Sequence, residues 1–132
     1  MITGIAHACY TVSNLDAAEA FYVGKLGLKK AFDFVDDDGK RFGVYIRVGR
    51  RTFVELFTGT PQPGESKGSY CHLCLEVDNL KQTVADLRVR GVAVTDPMLG
   101  KDQSWQAWID DVDGNRIELH EYTAASWQAP HL

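Results

Sequence analysis

Residues 7–15 read HACYTVSNL, and residues 72–80 read HLCLEVDNL. Set 65 positions apart, five residues coincide: His7 with His72, Cys9 with Cys74, Val12 with Val77, Asn14 with Asn79 and Leu15 with Leu80. The match resumes downstream at a shift of 63, where Phe53-Val54-Glu55-Leu56 aligns with Arg116-Ile117-Glu118-Leu119. From His to Glu the spacing is 48 residues in the first copy (55 − 7) and 46 in the second (118 − 72). A His opening and a Glu closing each copy identify a chain made of two like modules.

Working outward, each copy carries the same element order. Residues 4–12 alternate as a strand does. Asn14 follows as an N-cap, and Leu15, Ala18, Phe21, Tyr22 and Leu26 fall on one helical face. Gly27 suits the left-handed position that closes a helix. Residues 30–36 and 41–48 read as a hairpin turning at Asp38-Gly39, and 51–58 as a further strand. Residues 59–69, GTPQPGESKGS, are rich in Gly, Pro and Ser and read as a linker. The second copy predicts a strand at 70–77, a helix from Leu80 to about Arg90 closed by Gly91, and a strand at 92–96. A loop at 97–103, a strand at 104–110, a turn at 111–115 and a strand at 116–122 follow. Each copy is thus βαβββ. The expectation is an α+β chain, one domain over 1–132, with module 1–58, module 70–123 and linker 59–69 between them. Residues 124–132 carry no pattern.

Side chains two apart in a strand share a face. His7, Cys9 and Thr11 therefore share one face, and His72, Cys74 and Glu76 another. Glu55 lies with Phe53 and Phe57, and Glu118 with Arg116 and His120. Two like sheets related by a pseudo-twofold bring His7, Glu55, His72 and Glu118 to one place. Imidazole nitrogen and carboxylate oxygen suit a divalent cation such as Zn, Ni, Co or Mn. Two carboxylates balance its charge, and four ligands leave room for two neighbouring substrate oxygens. A single strand His or Glu is more often a rim residue than a ligand. Glu55 within TFVELF and Glu118 within RIEL are harder to place so, because charged residues are rarely buried unpaired.

These stretches resemble the glyoxalase / bleomycin-resistance / ring-cleaving dioxygenase superfamily, the vicinal oxygen chelate proteins. The resemblance spans about residues 3–122. It is carried by His7 with the following VSNLDAAEAFY…LGL, by VEL around Glu55, by His72 with LEVDNL, and by DVDGNRIEL ending at Glu118. The last is similar to the family's D-P-D-G-N-x-x-E-L, with Val112 in place of proline. The resemblance implies two βαβββ modules forming a cup-shaped mixed sheet. It also implies a metal held by the His, Glu, His, Glu set most like that of glyoxalase I. Dioxygenases and fosfomycin-resistance enzymes typically use three ligands, and methylmalonyl-CoA epimerases usually have Gln where this chain has Glu55. Two positions depart from glutathione-using glyoxalases. Thr11 stands where they commonly have Arg, and Gly59 where they commonly have Asn.

Other constellations read as structural. Cys71 and Cys74 form a C-x-x-C, but residues three apart in a strand face opposite ways, so Cys71 reads as a small core residue. Cys9 and Cys74 lie on the faces of His7 and His72 and so line the pocket. Asp36-Asp37-Asp38-Gly39 lacks the spacing and closing Glu of a calcium loop and reads as a turn. Trp105, Trp108, Tyr122 and Trp127 read as core or dimer packing. His120 shares the face of Glu118 and reads equally as a second-shell base or a rim residue. His131 and Lys101 read as solvated groups.

The 132 residues suffice for one domain with a core, and 45% hydrophobic with 24% charged residues is ordinary globular composition. No apolar run approaches a membrane span, and the start MITGIAHACYTV does not read as a signal peptide. Three cysteines make no disulfide framework. The expected location is cytoplasmic, with no membrane partner. A net charge of −4 with scattered basic residues gives nucleic acid no electrostatic footing.

The function implied is a divalent-metal-dependent lyase, isomerase or epimerase of the glyoxalase-I type. It would transfer a proton next to a carbonyl through an enediolate, with Glu118 or Glu55 as base. Its partners would be a small molecule with two adjacent oxygens, not glutathione-linked, and a second copy of the chain in a homodimer. One alternative is an extradiol-type dioxygenase on iron, which is the poorer fit because Glu55 fills a position that chemistry needs open. The other is a non-catalytic drug-binding or resistance protein, which has no need of four matched ligands.

Overall fold

The computed structural model of the chain describes residues 4–60 and 72–132. The chain divides into two compact units, Met1–Glu65 and Ser66–Leu132. Cys71, residue 70 and most of the linker expected at 59–69 lie outside the described residues.

The first unit runs β1 (His7–Val12), α1 (Leu15–Glu19), a π-helical segment (Ala20–Lys25), β2 (Lys29–Val35), β3 (Arg41–Arg47) and β4 (Phe53–Thr58). Its sheet has the order β1-β4-β3-β2. The first and last strands pair parallel and the rest antiparallel. The second unit runs β5 (Leu73–Glu76), α2 (Leu80–Val89), β6 (Met98–Leu99), β7 (Trp105–Asp110) and β8 (Arg116–Glu121), in the order β5-β8-β7-β6. Again the first and last strands are parallel. Both units are βαβββ, the α+β architecture expected from the repeat.

The N-caps are as read from the sequence. Asn14 Oδ1 accepts from the Ala17 N–H, and Asn79 Oδ1 from the Gln82 N–H, each at 2.9 Å. In the second unit Glu121 Oε2 also accepts from the Leu80 N–H at 2.6 Å, which ties the start of α2 to the last strand. Gly27 and Gly91 close the helical segments at φ of +74° and +75°, where a side chain would be strained.

Two expectations fail. The first helix does not stay α: after Glu19 its bonds lengthen by one residue, as in Leu26 N–H to Phe21 C=O. The wider turn buries the adjacent pair Phe21 and Tyr22 together, which a regular turn does less well. Residues 92–96 form no strand; the edge strand is the two-residue β6, inside the span expected as a loop. The Thr95 N–H still donates to the Trp108 carbonyl of β7 at 3.1 Å, but side chains take up the neighbouring groups. Arg88 donates to the Val94 carbonyl and the Asp96 carboxylate, Thr95 Oγ1 accepts from the Trp108 N–H, and Pro97 has no N–H to offer a ladder. The tail, patternless in sequence, folds back within the second unit. Ser126 is buried against Ser104 (2.8 Å between hydroxyls), and Gln128 Nε2 donates to Asp102 Oδ2 at 2.8 Å.

One face of each sheet is core. Tyr10, Val12, Val44, Ile46, Val54 and Leu56 are buried with Leu15, Ala18, Phe21 and Tyr22 of the helical segment. Ala107, Ile109, Ile117 and Leu119 are buried with Leu80, Val84 and Leu87 of α2. The alternate residues form the opposite face, and there every candidate ligand lies.

The repeat reaches into the turns, which the sequence comparison passed over. Asp36 Oδ1 accepts from the N–H groups of Asp38 and Lys40, with Gly39 at φ +77°. Asp111 Oδ1 accepts from the N–H groups of Asp113 and Asn115, and its Oδ2 from Asn115 Nδ2, with Gly114 at φ +78°. The acidic run at 36–38 thus begins a turn, its first carboxylate occupied by backbone donors. Asp111 is buried and Asp36 exposed. Asp111→Ala, which leaves buried donors unpaired, is expected to lower stability by about 2 kcal/mol. Asp36→Ala should lower it by less. Urea unfolding of both variants checks the order.

Candidate metal centre

Parallel pairing sets the site in each unit. In the first, Cys9 is the register partner of Glu55, and His7 lies two residues earlier on the same face. His7 Nε2 stands 3.6 Å from Glu55 Oε2. In the second, Cys74 is the register partner of Glu118, and His72 Nε2 stands 3.0 Å from Glu118 Oε2. Each unit therefore brings together its own histidine and its own glutamate, with ring nitrogen and carboxylate oxygen turned to each other. Separations of this order are those between two ligands of one small cation, and a neutral imidazole with a carboxylate is a donor set for a borderline divalent ion. The residues present in each unit fit such an ion.

The surroundings of the two pairs differ. Tyr45, across from Glu55 on β3, brings its hydroxyl to 3.3 Å from His7 Nδ1, which fixes the ring that carries the free Nε2. In the second unit Trp108 takes the place of Tyr45 and meets His72 edge-on, with centroids 5.0 Å apart. Glu118 is held twice, because His120 Nδ1 lies 3.0 Å from its Oε1 while His72 takes its Oε2. His120 is buried, and its Nε2 is 4.0 Å from Asp102 Oδ2. The amide of Gln128 holds the Asp102 carboxyl below its ordinary range, helped by hydrogen bonds from Ser104. Cys74, Glu118 and His120 offer ligand atoms within 4.8 Å of one another. His120 is thus a contact of Glu118 and no rim residue. Asp102 and Gln128 were invisible in the sequence because they reach the site only through the folded tail.

Both thiols, though exposed, are pushed toward the protonated form. Partial burial, then the hydrogen bond and charge of Glu55, push Cys9 above its usual value. Partial burial, then the charge of Glu118, push Cys74 up to about 12. Neither is set up as a nucleophile.

Of the aromatic residues expected in core or dimer packing, none belongs to the buried core. Trp105 and Trp127 are 40% and 64% exposed, while Trp108 and Tyr122 are half-buried on the Glu118 face, Tyr122 against His120. Alternation puts Trp108 opposite Glu118, away from the face filled by Ala107, Ile109, Ile117 and Leu119; Trp105 shares that core face but lies at its rim, where it lines a cavity beside α2. Thr11 and Gly59, the two departures from glutathione-using glyoxalases, are neighbours. The Gly59 N–H donates to the Val12 carbonyl, and a Cβ at 59 would lie 2.6 Å from Thr11 Cγ2. A cavity of about 650 Å³ in the second unit lies among Leu80, Val84, Pro97 and Trp105 beside α2 and holds none of the four expected ligands.

The comparisons agree with this geometry. A curated relative, the uncharacterized protein YwkD of Bacillus subtilis (strain 168), is 25% identical over 92% of this chain and 98% of its own length. The crystal structure of TnmS3, an antibiotic binding protein from Streptomyces sp. CB03234, superposes with a TM-score of 0.75 at 29% identity, covering 92% of this chain and 98% of that one. A lactoylglutathione lyase from Agrobacterium tumefaciens has a TM-score of 0.68 at 21% identity, covering 91% and 94%, and so shares the fold. Residues 4–119 match the family description Glyoxalase/Bleomycin resistance protein/Dioxygenase superfamily. With both modules and nearly the whole length inside the match, the chain belongs to that superfamily.

Proposed function

We propose that this protein is a metal-dependent lyase or isomerase of the glyoxalase-I type, in which His7, Glu55, His72 and Glu118 hold one divalent ion. What supports this reading is that each unit sets its histidine beside its glutamate, at repeat-equivalent positions and on the open face of its sheet. Zn, Ni, Co and Mn suit two imidazoles and two carboxylates. When bound, the ion supplies Lewis acidity to two adjacent substrate oxygens.

The remaining chemistry belongs to the chain. Glu118 or Glu55 takes the proton from the carbon beside the carbonyl and returns it to the neighbouring carbon. Tyr45 keeps the His7 ring turned so that Nε2 faces the site. His120 keeps the Glu118 carboxylate from rotating away when His72 is otherwise engaged. Cys9 and Cys74 stand on the faces of the ligands, their thiols pushed toward the protonated form. Among the described residues no helix is long and apolar enough to cross a membrane, which agrees with a small-molecule substrate met in water.

A second reading, capture of a drug-like molecule without turnover, is favoured by the 29% identity to an antibiotic-binding protein. Metal content separates the two. Protein purified without chelator is expected to carry one divalent ion per chain, and His72→Ala to lose most of it. Equal metal content in the two proteins would remove the metal centre. On the glutathione–methylglyoxal hemithioacetal, turnover is expected to be a small fraction of that on the true substrate. Thr11 and Gly59 lack the groups that grip glutathione, and their close contact leaves little room for larger ones. Efficient turnover of that hemithioacetal in a stopped assay would restore a plain lactoylglutathione lyase. By resemblance to glyoxalase-I-like proteins of this length, in which modules of two chains complete each site, the chain is expected to sediment as a homodimer; the alternative is a monomer whose own two units supply all four ligands. Mixing inactive His7→Ala and His72→Ala proteins, with subunit exchange, is then expected to restore part of the activity. A monomer by sedimentation, or no rescue despite exchange, counts against shared ligands.

A further inference from the structure

The open face of the first unit is unusually aromatic, and its rings begin at the proposed ligands. Phe53 is the register partner of His7, and Tyr45 that of Glu55. Phe53, Tyr45 and Phe32 follow one another across three strands. Their centroids are 4.7 and 4.9 Å apart, and their planes are inclined by only 19° and 27°. Near-parallel rings this close overlap face to face, so they do not lie side by side on the sheet. They form one stacked row, which Phe34 meets T-shaped at both Phe32 and Tyr45. Beside this row Phe57 lies down over Gly43: a Cβ at 43 would sit 2.5 Å from Phe57 Cδ1, so only glycine admits the ring there. Phe42 stacks on Phe57 at 5.8 Å and 12°.

This face differs from both bland possibilities. It is not solvated surface, because Phe32 and Phe42 remain 47% and 42% exposed in a contiguous apolar patch. Nor does it read as the centre of a protein contact, from which charged groups are depleted. His7 and Glu55 stand among the rings, and the Arg47 guanidinium lies 5.0 Å over Phe53. Aromatic walls with a few converging polar groups are the composition of a small-molecule site. Aromatic pairs, offset-stacked or edge-to-face, gain attraction beyond the area they bury, so the complement of this row is another ring.

We infer that the substrate is a flat aromatic compound whose ring packs against the row of Phe32, Tyr45 and Phe53, with its two adjacent oxygens at the His7–Glu55 end of the face. The place of the oxygens rests on the metal-centre reading; the preference for an aromatic ring rests on the ring geometry alone.

Two ligands with the same hydroxyketone and different rings test it: 2-hydroxyacetophenone and its saturated analogue, 1-cyclohexyl-2-hydroxyethanone. Calorimetric titration of the full chain is expected to give an affinity about tenfold or more higher for the aromatic ligand. Removing the metal should weaken both and leave their ratio. A retained ratio with no effect of metal would overturn the metal centre and keep this inference. Equal affinities that both depend on metal would do the reverse. Phe32→Leu, apolar for apolar at an exposed position remote from His7, should bring the ratio toward unity with an unchanged circular dichroism spectrum. A folded Phe32→Leu protein that keeps the full preference, or wild-type protein that binds neither ligand at millimolar concentration, would overturn the aromatic assignment.

Discussion

In each unit the first and last strands lie side by side and parallel, β1 on β4 and β5 on β8. Parallel neighbours cannot be joined by a tight turn, so the chain must leave the sheet and return. The helix and the hairpin fill that excursion, and the helix covers one face. The other face stays open, and the two-residue period of a strand then fixes what appears on it. His7, Cys9 and Glu55 in one unit, and His72, Cys74 and Glu118 in the other, share a face because the same pairing register recurs. A slip of one residue would turn the ligands into the core and Tyr10, Val54, Ile117 and Leu119 into solvent, which hydrophobic burial forbids.

Within that shared frame the two units have diverged, and the divergence is chemical. Two residues beyond Glu55 stands Phe57; two beyond Glu118 stands His120. Glu55 therefore faces His7 on a half-buried, ring-lined surface. Glu118 is buried between two imidazoles, one of which approaches Asp102. Across the sheet the same position is Tyr45 in one unit, touching His7 by its hydroxyl, and Trp108 in the other, touching His72 by its ring edge. One unit thus presents an aromatic surface and the other a hydrogen-bonded polar cluster.

The tail adds a constraint that local chemistry does not supply. Ser126 against Ser104 and Gln128 against Asp102 fasten the last residues to the loop before β7. The Asp102 carboxylate is held ionised by that contact and sits at the far side of His120. The carboxylate that faces His120 at 4.0 Å is thereby positioned by residues five and seven places beyond the last strand.

Much of this was legible in the chain itself. The repeat of HACYTVSNL as HLCLEVDNL, with Glu55 and Glu118 closing each copy, carries the two-module fold, the N-caps at Asn14 and Asn79, and the sharing of a face by each His with its neighbouring Cys. These follow from short-range rules, strand alternation and helix capping, that act through nearest neighbours along the sequence. What the sequence could not decide depends on groups distant along the chain meeting in space. At 92–96 the Arg88 side chain takes the Val94 carbonyl that a ladder would use. Trp108 stays out of the core because it stands opposite Glu118, on the face that alternates with Ala107 and Ile109. Tyr45 finds His7, and Gln128 finds Asp102, across 38 and 26 residues. Periodicity assigns a residue to a face; only the folded sheet, by fixing register and neighbours, decides what that residue touches there.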